Sequence, residues 1–131
     1  MKIAITANED NLESNIDTRF GRCRFFLIID TDTMNFESIS NEGAMTSGGA
    51  GIQAAQSMID NQVESVIAPQ MGPNAWNVLQ NAGIKIYRGI PGTVQANIDA
   101  FRLNQLQIME GSSEFGRMGR GMGRGMGRRQ G

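Results

Sequence analysis

The chain has 131 residues with a formal net charge of -1, a length that is ordinary for one domain. It contains no histidine and one cysteine, which excludes an internal disulfide and the usual Ser-His-Asp or Cys-His catalytic machinery. It has neither a signal-peptide stretch nor a run of roughly 20 apolar residues, so we expect a cytoplasmic protein without membrane contact.

The first 41 residues predict three strands. Residues 2–7 and 25–29 are short apolar runs, rich in β-branched or aromatic side chains, and are typical of central strands. Turn residues at 30–33 lead into a mostly polar extended segment at 34–41. We expect that segment to be the edge strand of a hairpin.

Beyond residue 48 the apolar spacing becomes helical. The first predicted helix has Thr46 or Ser47 as a candidate cap. Its predicted apolar stripe consists of Ile52, Ala55, Met58 and Ile59. Two strand–helix units follow, with strands at 63–68 and 84–87. Residues 106–109 fit either the last turns of the final helix or a short extended closure.

The predicted order is therefore β-β-β-α-β-α-β-α, a single-domain α/β fold with a mixed five-stranded sheet and flanking helices. We expect strands 1, 4 and 5 to be parallel, with strand 2 antiparallel beside strand 1. A ligand crevice is expected outside the carboxyl ends of strands 1 and 4, at residues 8–9 and 70–72.

A cationic turn that contains the only cysteine precedes the second strand. Its residues are Arg19, Phe20, Gly21, Arg22, Cys23 and Arg24. The three guanidinium groups suit oxyanions or the sulfide edge of an inorganic cluster. The alternative is pairing with the nearby acids Asp17, Asp30 and Asp32 on a solvated face. All three arginines converge only if the backbone turns at Gly21.

Cys23 is the candidate metal ligand, as a thiolate whose pKa neighbouring arginines lower. The alternative is a small buried apolar residue. One cysteine without histidine makes no closed zinc or iron–sulfur site within one chain. A bound metal must therefore bring its own inorganic ligands or be shared between chains.

A helix start with small residues, Gly48-Gly49-Ala50-Gly51, favours an anion, although a flexible loop before a capped helix explains it equally well. Met71 is either a thioether contact or core filler. The complete candidate site is Asn8, Arg19, Phe20, Gly21, Arg22, Cys23, Arg24, Gly48, Gly49, Gly51, Met71 and Gly72.

The composition changes near residue 110. Residues 1–110 carry a net charge of -5, whereas residues 111–131 carry +4 in a near-repeat of glycine, arginine and methionine. We predict that this tail is disordered. An alternative function is nucleic-acid or protein interaction through the tail. Nucleic acid is not favoured, because no aromatic residue follows Phe115, and the methionines suit Cu(I) or another soft metal as well.

The predicted element order also resembles that of ribonuclease H. Its two-metal chemistry requires carboxylates on the central strands, and strands 1 and 4 have none at their centres. We therefore do not expect nuclease activity. The sequence contains no acid–base pair that indicates another enzyme.

Three segments in order resemble the dinitrogenase iron-molybdenum cofactor biosynthesis family: residues 1–7, the 15–22 turn that leads into residues 25–30, and residues 48–51. The resemblance spans residues 1–105. It implies a ribonuclease H-like fold and a non-catalytic carrier or scaffold for a metal–sulfur cluster or its precursor. The implied cargo is a transiently bound Mo/Fe or Mo/Cu sulfide, and the implied partners are cluster donor or acceptor proteins. The resemblance leaves open whether the protein is a homodimer, and it does not imply a role in nitrogen fixation.

The chain departs from the family at one position. Cofactor-carrying members have a histidine directly before Phe-Gly, where this chain has Arg19. An arginine neutralises the charge of a cluster but does not ordinarily coordinate its metal. Cys23 therefore becomes the substitute ligand to test.

Overall fold

Residues 1–41 and 49–111 are described by a computed structural model and form five strands and three helices. These elements are β1 Lys2–Ala7, β2 Phe25–Asp30, β3 Phe36–Ser40, α1 Ala50–Asp60, β4 Ser65–Ala68, α2 Pro73–Asn81, β5 Lys85–Arg88 and α3 Val94–Arg102. The predicted element order is confirmed. No helix in this part of the chain is long and apolar enough to span a bilayer.

The sheet has the strand order β3-β2-β1-β4-β5. Strands β1, β4 and β5 are parallel, and β2 is antiparallel to both β1 and β3, as predicted. Three carboxyl ends therefore share one edge of the sheet, here called the carboxyl edge. Strand β2 begins at the same edge, because Phe25 pairs with Ala7.

Both faces of the sheet are buried, which explains why the central strands are apolar at successive positions. Ile3 and Ile5 of β1 pack in a cluster with Ile98 of α3. Ala4, on the opposite face, belongs to a second cluster with residues of α1 and α2. The protein thus has three layers, with α1 and α2 on one side and α3 on the other. β3 is mostly exposed and lies at the edge, as predicted.

The buried face of α1 differs from the predicted stripe. Ile52 is 45% exposed, so its core assignment was wrong. The predicted core positions Ala55 and Met58 are confirmed, and the helix also buries Ala50 and Ala54. Its N-cap is Gly49, and the predicted caps Thr46 and Ser47 lie outside the described residues. The first turn of α1 has small residues, Ala50 and Gly51, where it packs closely against α2.

The segment after α3 is an extended closure along β5, the second of the two predicted alternatives. The Arg88 N–H donates to the Gln107 carbonyl at 2.8 Å, and the Met109 N–H donates to the Ile86 carbonyl at 2.8 Å. This segment runs antiparallel to β5 through the Tyr87–Ile108 bridge. It covers the β5 edge and leads away from the carboxyl edge. All of the predicted tail, residues 111–131, except Gly111 lies outside the described residues.

Candidate functional site

A cleft of about 600 Å³ opens at the carboxyl edge, between the turn before β2 and the amino ends of α1 and α2. This volume is in the range of small-molecule sites. Eight of the predicted site residues line it: Arg19, Phe20, Gly21, Arg22, Gly49, Gly51, Met71 and Gly72. Three segments that are far apart in the sequence therefore meet where the strand order predicted a crevice.

Two glycines bring the walls of the cleft together. A Cβ atom on Gly21 would lie 3.0 Å from both the N and Cα atoms of Gly51. A Cβ atom on Gly51 would in turn lie 3.4 Å from the Cβ of Ala75 in α2. The turn thus rests on the backbone of α1, and the first turns of α1 and α2 lie side by side.

The two helices that begin at the cleft differ from α3 in their N-terminal chemistry. Among the described residues no side chain caps α1 or α2, and neither first turn has an acidic residue. Their N-caps are Gly49 and Gly72. By contrast, Thr93 Oγ1 caps α3, accepting from the Ala96 N–H at 3.0 Å. Two helix dipoles therefore direct their positive ends at the cleft without a protein anion on either first turn.

Two of the three arginines lie at the cleft. Arg19 runs beside Gln70 through an isolated parallel bridge and has a side chain that is 64% exposed. Its Nε lies 3.7 Å from Asp17 Oδ1, so pairing with an acid and a position at the cleft coexist. Arg22 is exposed and also lines the cleft. The guanidinium carbon of Arg24 instead lies 5.7 Å from the centroid of the Phe25 ring, and Arg24 is not a lining residue.

Cys23 is buried in the core and does not line the cleft. The residue is 0% exposed, and its thiol donates to the Phe20 carbonyl at 3.4 Å. Burial, reinforced by the charge of Asp17, raises the pKa of the Cys23 thiol to about 12. The expectation that this pKa is lowered was wrong, because desolvation by burial is the largest influence and disfavours the thiolate. The geometry corresponds to the alternative, a small buried apolar residue.

Asn8 does not line the cleft either. Its N–H donates to the Asn15 carbonyl at 3.2 Å, and the Ser14 carbonyl accepts from the Val94 N–H at 2.8 Å. These bonds fold the 8–17 loop toward the start of α3, on the other side of the sheet. Gly48 lies outside the described residues.

Met71 fits both of its predicted roles. It is 1% exposed and belongs to the core cluster on the α1 and α2 side, yet it also lines the cleft. The prediction missed Ile52 and Asn74, which line the cleft from the starts of α1 and α2. The sequence did contain a signal for Asn74. Pro73 typically begins a helix, and it directly follows the predicted crevice residues 70–72, so the start of that helix was expected beside the crevice.

Within the described residues no group of three or more histidine, cysteine, aspartate or glutamate side chains is arranged to hold a metal ion. The cleft instead presents cationic and N–H donors. Such a donor set suits an anion whose metal already carries its own ligands.

Comparison with known proteins decides the family. A family profile described as dinitrogenase iron-molybdenum cofactor matches residues 1–104. The chain belongs to this family.

Solved structures agree with the family assignment. The apo form of the orange protein from Desulfovibrio gigas is 34% identical, with a TM-score of 0.82 over 85% of this chain and 94% of the other. A Thermotoga protein described as NifB-like is 36% identical, with a TM-score of 0.78 over 88% and 98% of the two chains. An uncharacterised Methanocaldococcus jannaschii protein is 27% identical over 84% of this chain and 92% of its own length.

The contact between Gly21 and Gly51 predicts that Gly21→Ala destabilises the protein by about 1–3 kcal/mol, because backbone atoms cannot move aside as a flexible side chain does. Gly111→Ala is the matched control, since an added Cβ there meets nothing within 4 Å. Urea unfolding followed by the fluorescence of Trp76, the only tryptophan, measures both changes. Equal stability of the two variants would contradict the contact.

Burial of Cys23 predicts a specific loss of stability in alkali. The folded state keeps the thiol proton up to about pH 12, whereas the unfolded chain releases it near pH 9, so the folded state binds more protons in that window. The free energy of unfolding then falls by about 1.4 kcal/mol per pH unit above pH 9 from this group. Cys23→Ala should remove that contribution. Urea titrations from pH 8 to pH 10.5 compare the proteins, and parallel pH profiles would refute the assignment.

Proposed function

We propose that the protein is a non-catalytic carrier or scaffold that binds an anionic metal–sulfur cluster, or its precursor, in the cleft. The observation that carries this proposal is the meeting of two arginines and two helix amino ends without a capping side chain on either helix. Membership of a family related to the iron-molybdenum cofactor supports the choice of a metal–sulfur anion over other anions.

The proposed contacts suit reversible carriage. A helix amino end stabilises an anion by about 0.3–1 kcal/mol, and a hydrogen bond from a charged group contributes about 1.5–3 kcal/mol. Two of each give a gross gain of about 4–8 kcal/mol, from which the cost of immobilising the ligand is subtracted, so the dissociation constant is no smaller than about 1 μM. A site of this kind releases its cargo without a chemical step.

The cargo, in this proposal, keeps its own sulfide ligands. Arg19 and Arg22 neutralise charge, and neither coordinates metal. Cys23 is buried and protonated at neutral pH, so we no longer propose it as the metal ligand. Met71 contacts the cargo at most through its thioether. Transfer to an acceptor protein then requires no bond to this chain to break, and a molybdenum–iron or molybdenum–copper sulfide is the cargo class.

Replacing the cleft arginines should weaken binding of tetrathiomolybdate, a dianionic metal–sulfur precursor. We expect Arg19→Gln and Arg22→Gln each to lower the affinity about tenfold, because each removes a charged donor. Arg24→Gln is the matched control and should change the affinity less than twofold, since Arg24 lies over Phe25. Anaerobic titrations followed by thiomolybdate absorbance and Trp76 fluorescence measure the constants.

The control also defines failure of the proposal. An equal loss in all three variants would mean that general surface charge, and not the cleft, attracts the anion. No saturable binding by the wild-type protein to thiomolybdate, alone or with copper or iron and sulfide, would overturn the proposed function.

The competing function is nucleic-acid or protein interaction through residues 112–131, suggested by their five arginines. Removing these residues should leave thiomolybdate affinity within about threefold of the full chain, because the proposed site lies in the described part. RNA binding measured against salt tests the competitor. Tight RNA binding that disappears with the tail, in a protein that does not bind thiomolybdate, would favour the interaction module.

A further inference from the structure

Asp17 is a charged residue in a buried position at the base of the cationic turn. Its side chain is only 7% exposed, whereas that of Arg19 is 64% exposed. A buried carboxylate is costly unless it is paired and hydrogen-bonded. Asp17 Oδ1 accepts from the Arg19 backbone N–H at 2.9 Å and lies 3.7 Å from Arg19 Nε. One carboxylate oxygen thus contacts both the backbone and the side chain of Arg19.

The sheet holds Asp17 in place. Thr6, fully buried in β1, donates its hydroxyl hydrogen to the Asp17 carbonyl at 2.6 Å. The Asp17 N–H donates to the Thr6 carbonyl at 3.3 Å. A continuous series of contacts therefore runs from the central strand through Asp17 to Arg19, at the cleft.

We infer that Asp17 is a positioning residue, which holds Arg19 so that its outer guanidinium nitrogens face an anion in the cleft. Asp17 Oδ1 lies on the Nε side of the Arg19 guanidinium, at an ion-pair distance of 3.7 Å. A guanidinium is a rigid planar fork, so fixing one side orients the other. This inference rests on the proposed function.

The sign of the charge separates positioning from simple electrostatics. The negative charge of Asp17 repels an anionic ligand, so a purely Coulombic role predicts tighter binding when the charge is removed. Positioning predicts weaker binding, and only while Arg19 is present to be oriented. A role in folding alone predicts the same change whether or not Arg19 is present.

A double-mutant cycle distinguishes these roles, with Asp17→Asn, Arg19→Gln and the combination titrated with tetrathiomolybdate. Asparagine keeps an oxygen that can accept the Arg19 N–H and loses the charge. We expect Asp17→Asn to weaken binding threefold to tenfold in the otherwise wild-type protein and to change it less than twofold in the Arg19→Gln background. Tighter binding in both backgrounds, or an equal loss in both, would overturn the inference.

A second measurement needs neither a variant nor a ligand. Nitrogen-15 relaxation of the arginine Nε groups reports how firmly each guanidinium is held. We expect a higher order parameter for Arg19 than for Arg24, and an equal or lower value would overturn the positioning role even if Asp17→Asn does not fold. If the wild-type protein does not bind thiomolybdate, the proposed function is wrong. The relaxation measurement then still shows whether the Arg19 guanidinium is held in place.

Discussion

The close approach of Gly21 to Gly51 is the constraint on which the cleft depends. Through this contact, the loop between β1 and β2 packs against the first turn of α1. Gly51 in turn lets that first turn pack against Ala75 of α2. Any side chain at Gly21 would push the loop away from the first turn of α1. The same contact leaves the two helix amino ends side by side, with Arg19 and Arg22 at their rim.

This arrangement concentrates positive potential without using a metal ligand. The arginines are permanently charged and the helix ends supply N–H donors, whereas the only thiol is in the core. The body of the chain is net acidic, so the positive cleft is a local feature and does not follow from overall charge. That chemistry favours an anion over a bare cation, because a cation would be repelled.

The sequence predicted the elements and the place of the cleft well, since both depend on local patterns. Short apolar runs rich in β-branched or aromatic residues identify the central strands, and the change to helical spacing identifies the helices. The orientation of individual residues depends on tertiary contacts that periodicity does not contain. Cys23 packs in the core, where its thiol donates to the Phe20 carbonyl, and Asn8 does not line the cleft because Ser14 ties its loop to α3. The sequence predicts Asp17 only as an ion-pair partner of the arginines, because its burial depends on tertiary packing.

Anomalous diffraction at the molybdenum edge, from crystals loaded anaerobically with tetrathiomolybdate, tests the central claim most directly. The account predicts one strong molybdenum peak in the cleft, within contact distance of the Arg19 and Arg22 guanidinium groups and the first turns of α1 and α2. A peak at Cys23, at the 112–131 segment or on the α3 side of the sheet, with the cleft empty, would contradict it.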